Sequence, residues 1–84
     1  VEQMLFYTLE QRVASYLLEE SQRLETDTIQ VTQEQLAQAI GSAREAVTRT
    51  LKKLSAAETV ELFRGGVRIR DRKGLERLVE RGGL

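Results

Sequence analysis

Two arginines, a glutamate and a threonine are spaced so that one side of a helix would carry them all: Arg44, Glu45, Thr48 and Arg49. A guanidinium can bind guanine O6 and N7 with two hydrogen bonds, and a carboxylate can accept one from cytosine N4. The group therefore has the chemistry to read base edges in duplex DNA. Glu45 is the informative member, because an acid weakens non-specific phosphate binding. The alternative is that Glu45 only completes a helix cap with Ser42.

A second set of residues can bind the phosphate backbone. Hydroxyl and amide groups near helix N-termini donate hydrogen bonds to phosphate oxygens, and basic side chains supply the opposite charge. The candidates are Thr32, Gln33, Ser42, Lys52, Lys53, Arg64 and Arg68. For Arg68 the alternative is a solvated strand face. We predict that the aromatic residues Tyr16 and Phe63 lie in the core rather than stack on bases.

The composition removes most other kinds of chemistry. The chain has neither cysteine nor histidine, so disulfides, the usual zinc sites and Ser-His or Cys-His nucleophiles are absent. We therefore predict no enzymatic activity, no cofactor and no metal. No apolar run approaches the roughly 20 residues that cross a bilayer, and no signal peptide is visible. A cytoplasmic domain without membrane contact is expected.

The charge is balanced overall but unevenly distributed. A formal net charge of zero argues at first against a polyanionic partner. However, residues 1–41 carry two arginines against seven acids, whereas residues 42–73 carry nine basic residues against four acids. This asymmetry favours one face for a polyanion. The alternative is that the charges only solvate surface helices.

The candidate residues need a scaffold, and its first elements are a helix and a short strand. Apolar residues at helical spacing predict a helix over residues 9–22. Thr8 and Gln11 match a capping box, in which each side chain bonds the backbone of the other residue. Polar residues 25–28 end this helix, and the alternation in Ile29–Val31 predicts the strand.

Two further helices follow with almost no linker between them. Thr32 and Gln35 form a second capping box, and Gly41 ends the helix because glycine tolerates a left-handed backbone. A third capping box at Ser42 opens the next helix, predicted over residues 43–56. Two helices joined by so short a turn cross steeply, which predicts a helix–turn–helix. A plain antiparallel hairpin of helices is the alternative.

The rest of the chain predicts a β-hairpin and a last helix. Residues 60–64 and 67–70 alternate apolar and polar around Gly65-Gly66, where both glycines can adopt the positive φ of a tight turn. Asp71 is placed to cap a helix over residues 72–80. The predicted fold is α+β: a winged helix–turn–helix with a three-helix core, a small antiparallel β-hairpin wing and a C-terminal helix.

As a connected pattern, the sequence resembles the DNA-binding domain of the CRP/FNR regulators, the catabolite activator protein and its relatives. The matching segments are Arg12-Val13-Ala14, Val31-Thr32-Gln33-Glu34-Gln35-Leu36-Ala37, Ile40-Gly41, Arg44-Glu45-x-Val47-x-Arg49-x-Leu51 and Gly65-Gly66. The resemblance implies a bacterial transcription regulator that binds a two-fold-symmetric DNA site as a homodimer, with helix 43–56 in the major groove. Residues 1–7 would end a preceding dimerisation helix, and residues 8–84 would form the DNA-binding domain.

The resemblance also implies roles for single residues. Arg44, Glu45 and Arg49 match the base-reading positions of the family, and the two arginines together resemble readers of TGTGA-like half-sites. The segment 21–28 corresponds to a loop through which some relatives touch RNA polymerase.

Other features depart from the family or favour a different function. Ala43 and Ala46 stand where relatives commonly carry hydroxyl residues that contact phosphate, and Thr50 replaces a usual aliphatic residue. The alternative function is a winged helix used for protein–protein docking, which the zero net charge and the apolar start Met4-Leu5-Phe6 motivate.

Overall fold

The structure, a computed structural model, describes residues 8–82, so the prediction for residues 1–7 falls outside it. The elements are α1 (Leu9–Leu24), β1 (Thr28–Ile29), α2 (Gln33–Ile40), α3 (Arg44–Ala56), β2 (Val60–Phe63), β3 (Gly66–Ile69) and α4 (Arg72–Gly82). The three strands form one antiparallel sheet in the order β1-β3-β2. Helices α1 to α3 with this sheet and α4 confirm the predicted α+β winged helix–turn–helix.

Every element contributes to one hydrophobic core. Helix α1 packs against α4, α3 and α2, and α3 also contacts β2. The buried apolar residues are Val13, Ala14, Leu17, Ile29, Val31, Leu36, Ala37, Ile40, Val47, Leu51, Leu54, Val60, Val67, Ile69 and Leu75. Because Val47, Leu51 and Leu54 are all buried, the opposite face of α3 is turned to solvent.

The helix starts that depend on local side chains are confirmed. Thr8 and Gln11 form the predicted capping box of α1, and Thr32 and Gln35 form that of α2 with both bonds at 3.0 Å. Asp71 accepts a hydrogen bond from the Gly74 amide at 3.1 Å and so caps α4.

The third predicted capping box is wrong. Helix α3 begins at Arg44, behind an Ala43 that has an extended backbone and makes no side-chain capping bond. Ser42 lies one residue too early, because its amide donates to the Ala37 carbonyl at 2.9 Å and closes the exit of α2. Gly41 has the expected left-handed backbone at this exit, with φ of 69°.

The hairpin turn is displaced by one residue from the prediction. Strands β2 and β3 are joined by Arg64 and Gly65, and only Gly65 has a positive φ, 84°. Gly66 instead pairs with Phe63 as the first residue of β3. A Cβ atom on Gly66 would lie 2.7 Å from the Ile29 carbonyl oxygen and 2.6 Å from the Phe63 ring. The second glycine is therefore required by close packing rather than by the turn.

Two smaller predictions also change. Phe63 is 42% exposed at the edge of the hairpin, so it is not a core residue, while Tyr16 packs against the core as expected. Helix α1 continues to Leu24, so most of the segment 21–28 is helix or strand, and the turn within it is limited to residues 25–27.

Candidate nucleic-acid interface

The solvent-facing side of α3 carries the residues predicted to read bases. Arg44, Glu45, Thr48 and Arg49 line one shallow depression on the surface. Arg44, Glu45 and Arg49 are exposed, and Thr48 is half-buried. The structure therefore brings all four side chains to one outward surface, which we call the α3 face.

Thr48 also makes a contact with α2 that the sequence did not predict. Its hydroxyl donates a hydrogen bond to Oε1 of Gln33, the first residue of α2. With its oxygen engaged, Gln33 presents its amide nitrogen as the group that can donate to a phosphate. One contact thus links a candidate base-reading residue to a candidate phosphate-binding residue.

A groove beside the α3 face collects several phosphate-binding candidates. Its lining includes Thr32 and Gln33 at the start of α2, Arg44 at the start of α3, and Arg64 at the hairpin tip. The positive end of the α2 dipole and two guanidinium groups therefore meet in one place. Glu34 also lines the groove and is the single carboxylate among its lining residues.

Thr32 keeps a donor for a ligand although it already serves as a cap. Its Oγ1 accepts a hydrogen bond from the Gln35 amide at 3.0 Å, and its own amide donates to the Gln35 side chain. A hydroxyl can accept and donate at the same time. The Thr32 proton can therefore still be donated to a phosphate oxygen.

Other candidates lie outside this groove. Lys53 is 3.4 Å from a Glu10 carboxylate oxygen on α1, and Arg68 is 3.8 Å from a Glu61 oxygen on the neighbouring strand. Lys53, Arg68 and Glu61 are exposed and Glu10 is half-buried, so each pair contributes little to stability and leaves the basic group near the surface. Lys52 is exposed on α3 and Ser42 is half-buried in the α2–α3 turn.

Sequence reasoning missed the role of Arg12. Its guanidinium, on α1, donates a hydrogen bond to the carbonyl oxygen of Ile40 at the end of α2. The two residues are 28 positions apart, so no local pattern reveals the contact. The available signal was indirect: α2 has no basic residue in its own last turn.

A separate cluster of ionisable groups occupies the other end of α1. Arg23 Nη2 lies 2.6 Å from Glu20 Oε1, and this hydrogen bond lowers the pKa of Glu20 and raises the pKa of Arg23. Partial burial, together with the nearby Glu20 charge, raises the pKa of the Tyr16 hydroxyl. These groups line a groove with β1 rather than the α3 face.

Two kinds of feature are missing from residues 8–82. No group of three or more acidic side chains is arranged there to hold a metal ion, and none of the helices has the length and apolarity to cross a membrane.

Two packed helices joined by a three-residue turn, with a polar outer face and a β-hairpin after them, define a winged helix–turn–helix domain. Residues 11–78 match the family model described as the Crp-like helix-turn-helix domain. The chain belongs to this family. No curated protein matches it in sequence.

Solved structures of CRP/FNR-family proteins share the fold. A proposed transcriptional regulator from Eubacterium rectale is 40% identical, with a TM-score of 0.90 over 94% of this chain. A CRP/FNR-family transcriptional regulator from Thermus thermophilus is 30% identical, with a TM-score of 0.87 over 94%. The catabolite activator protein of Thermus thermophilus is 31% identical, with a TM-score of 0.80 over 89%. The match covers 37%, 44% and 35% of these three chains, respectively.

Proposed function

We propose that this domain binds duplex DNA sequence-specifically as the reading head of a dimeric bacterial transcription regulator, with α3 in the major groove of a TGTGA-like half-site. The observation that carries the proposal is the α3 face, where Arg44, Glu45, Thr48 and Arg49 line one depression. A recognition helix needs such a face opposite its buried stripe.

The base contacts follow from the chemistry of this face. Arg44 and Arg49 each bind a guanine with two hydrogen bonds, and Glu45 accepts one from a cytosine amino group. The absence of a side-chain cap at the start of α3 supports this role for Glu45, because the competing capping role has no partner at Ser42. Thr48 supports the face through its bond to Gln33 and offers its methyl group to a base.

Phosphate contacts set the position of the domain on the duplex. Thr32 and Gln33 donate to one phosphate at the start of α2, and Arg64 supplies charge from the hairpin tip. Their common groove with Arg44 supports this assignment. Of the other predicted phosphate-binding residues, Lys52, Lys53 and Arg68 add positive charge around this groove. Ser42 contributes a hydroxyl donor.

The proposal extends to the intact regulator. The three CRP/FNR-family structures are more than twice as long as the matched segment, which supports an additional domain. In this proposal, residues 1–7 end a dimerisation helix, and two domains bind a two-fold-symmetric site about one helical turn apart. Contact with RNA polymerase would involve the segment 21–28, of which residues 25–27 form the turn.

The testing experiment is a DNA titration with the 84-residue chain. Duplexes with one TGTGA half-site, a TGTGA palindrome and a scrambled sequence are compared at two salt concentrations. We expect tighter binding to the TGTGA duplexes and weaker binding to all duplexes at high salt. Equal affinity for all three would contradict TGTGA reading. Absence of binding at low salt would contradict DNA binding and favour the protein-docking alternative.

Two variants separate base contacts from phosphate contacts. Arg44→Ala is expected to reduce the preference for TGTGA by about 1–3 kcal/mol, the value of one good base contact. Lys52→Ala is expected to weaken binding to all sequences equally and to reduce the salt slope by about 1. Arg77→Ala, an exposed arginine on α4, is the charge-matched control. Unchanged preference in Arg44→Ala would remove this residue from the base-reading set.

A further inference from the structure

Arg12 on α1 makes a polar contact with the α2–α3 turn. Its Nη2 donates to the Ile40 carbonyl oxygen, and a Cβ atom built on Gly41 would lie 3.9 Å from the same nitrogen. The guanidinium therefore lies over the turn itself. Arg12 is partly buried and forms no ion pair with a carboxylate within residues 8–82. Its hydrogen-bonding partner is backbone.

The composition of α2 explains why this contact matters. The helix has eight residues and no basic residue in its last turn, although the last four carbonyls of any helix lack partners within it. The Gly41 amide donates a hydrogen bond to the Gln38 carbonyl, and the Ser42 amide donates one to the Ala37 carbonyl. Arg12 on α1 donates a hydrogen bond to the Ile40 carbonyl. Its guanidinium also places a positive charge at the negative, C-terminal end of the α2 dipole.

The short turn after Ile40 links the end of α2 to the start of the α3 face. Helix α3 begins at Arg44, with Gly41 to Ala43 as the connecting residues. The other end of α2 is joined to α3 by the Thr48–Gln33 hydrogen bond. A change in where α2 ends therefore changes the direction in which Arg44 and Glu45 leave the turn.

We infer that Arg12 is a positioning residue for sequence reading: it fixes the end of α2 against α1 and so sets the orientation of the α3 face. It acts through the Ile40 carbonyl. The inference rests on the proposed DNA-binding function for its effect on sequence preference, and its effect on the turn can be measured without DNA.

The test compares Arg12→Met, Arg12→Lys and the matched control Arg23→Met, which removes an exposed arginine from the same helix. The first measurement is amide hydrogen exchange at Gly41 and Ser42, normalised to core amides such as Leu17 and Leu51. The second is the ratio of dissociation constants for scrambled duplex and for a duplex that the unsubstituted domain has selected from a random pool.

We expect Arg12→Met to speed normalised exchange at Gly41 and Ser42 about tenfold, and to reduce the selectivity ratio about tenfold, comparable to one lost base contact. Arg12→Lys keeps the charge but not the planar fork, so its selectivity ratio should fall between those of the unsubstituted domain and Arg12→Met. Arg23→Met should change neither the exchange rate nor the ratio. A purely structural role would weaken binding to both duplexes equally and leave the ratio unchanged.

Several outcomes would overturn the inference. They are unchanged exchange in Arg12→Met, faster exchange with an unchanged ratio, or an equal loss in Arg23→Met. If the unsubstituted domain selects no DNA, the proposed function fails, and the exchange data alone decide whether Arg12 fixes the turn. If Arg12→Met does not fold, Arg12→Lys replaces it, and an unchanged ratio in that variant overturns the inference.

Discussion

The hydroxyl of Thr48 donates a hydrogen bond to Oε1 of Gln33, joining the second turn of α3 to the first residue of α2. This bond, with the Arg12–Ile40 bond at the other end of α2, means that polar contacts hold the short helix at both ends. The apolar residues of α2 set its buried face, and the two polar contacts join its first residue to α3 and its last residue to α1.

Thr48→Val is expected to destabilise the domain by about 1 kcal/mol, because it leaves the partly buried Gln33 side chain without its donor. Thr48→Ser keeps the hydroxyl and should lose less stability. Urea denaturation of both variants measures the free energy of unfolding. Equal loss in the two variants would show that packing of the Thr48 methyl group, rather than the hydrogen bond, is what matters.

Ala43→Ser is expected to stabilise the domain by about 0.5–2 kcal/mol, the usual value of a side-chain cap. Ala43 already has the extended backbone of a capping residue, with φ of −72° and ψ of 142°, but no side-chain acceptor. Thermal unfolding checks the direction, and Ala46→Ser, within the helix, is the control. A lower melting temperature for Ala43→Ser would show that the turn excludes the added oxygen.

Gly66→Ala is expected to destabilise the domain by about 1–3 kcal/mol, because the added methyl group would press against the Ile29 carbonyl and the Phe63 ring. Gly65→Ala meets nothing within 4 Å and suffers only the strain of its left-handed backbone, about 1–2 kcal/mol. Shortening Phe63 distinguishes the two causes: Phe63→Ala should reduce the loss caused by Gly66→Ala and not that caused by Gly65→Ala.

Glu20→Gln is expected to flatten the acid side of the stability profile. The hydrogen bond from Arg23 lowers the pKa of Glu20 below its ordinary value of 4.5, so the folded state favours the carboxylate. Its contribution is present above the unfolded pKa and is lost as the pH falls through the folded pKa. The stability difference between the unsubstituted chain and Glu20→Gln should therefore shrink as the pH falls below the ordinary pKa of 4.5. Glu19→Gln, on the same helix, is the control, and an equal change there would contradict the assignment.

Local patterns predicted most of the fold, and the errors arose where a neighbouring helix end or a contact distant in sequence competed with the local pattern. The capping boxes at Thr8 and Thr32 were predicted correctly, because both partners lie within one helical turn. The cap at Ser42 was wrong because its backbone is needed to end the preceding helix. The turn was placed one residue late because Gly66 is demanded by Ile29, which is distant in sequence.

The candidate site likewise has features that the sequence predicted and contacts that it did not. Helical spacing predicted which side chains of α3 share its outward face, because the buried stripe fixes the rotation of the helix. The Thr48–Gln33 and Arg12–Ile40 contacts depend on how separate helices meet, and spacing within one helix contains no information about that.

The central position of β3 has a consequence for biosynthesis. Strand β1 finds its partner in β3, since Thr28 pairs with Arg68 about forty residues later, and the Ile69 amide donates to the Asp27 carbonyl. On the ribosome, the helix pair therefore emerges before the strand that closes the sheet over the core. We expect the nascent chain to stay open to proteolysis until β3, and then α4 with its buried Leu75, have left the exit tunnel. Protease digestion of chains stalled with these two elements inside and outside the tunnel would show this.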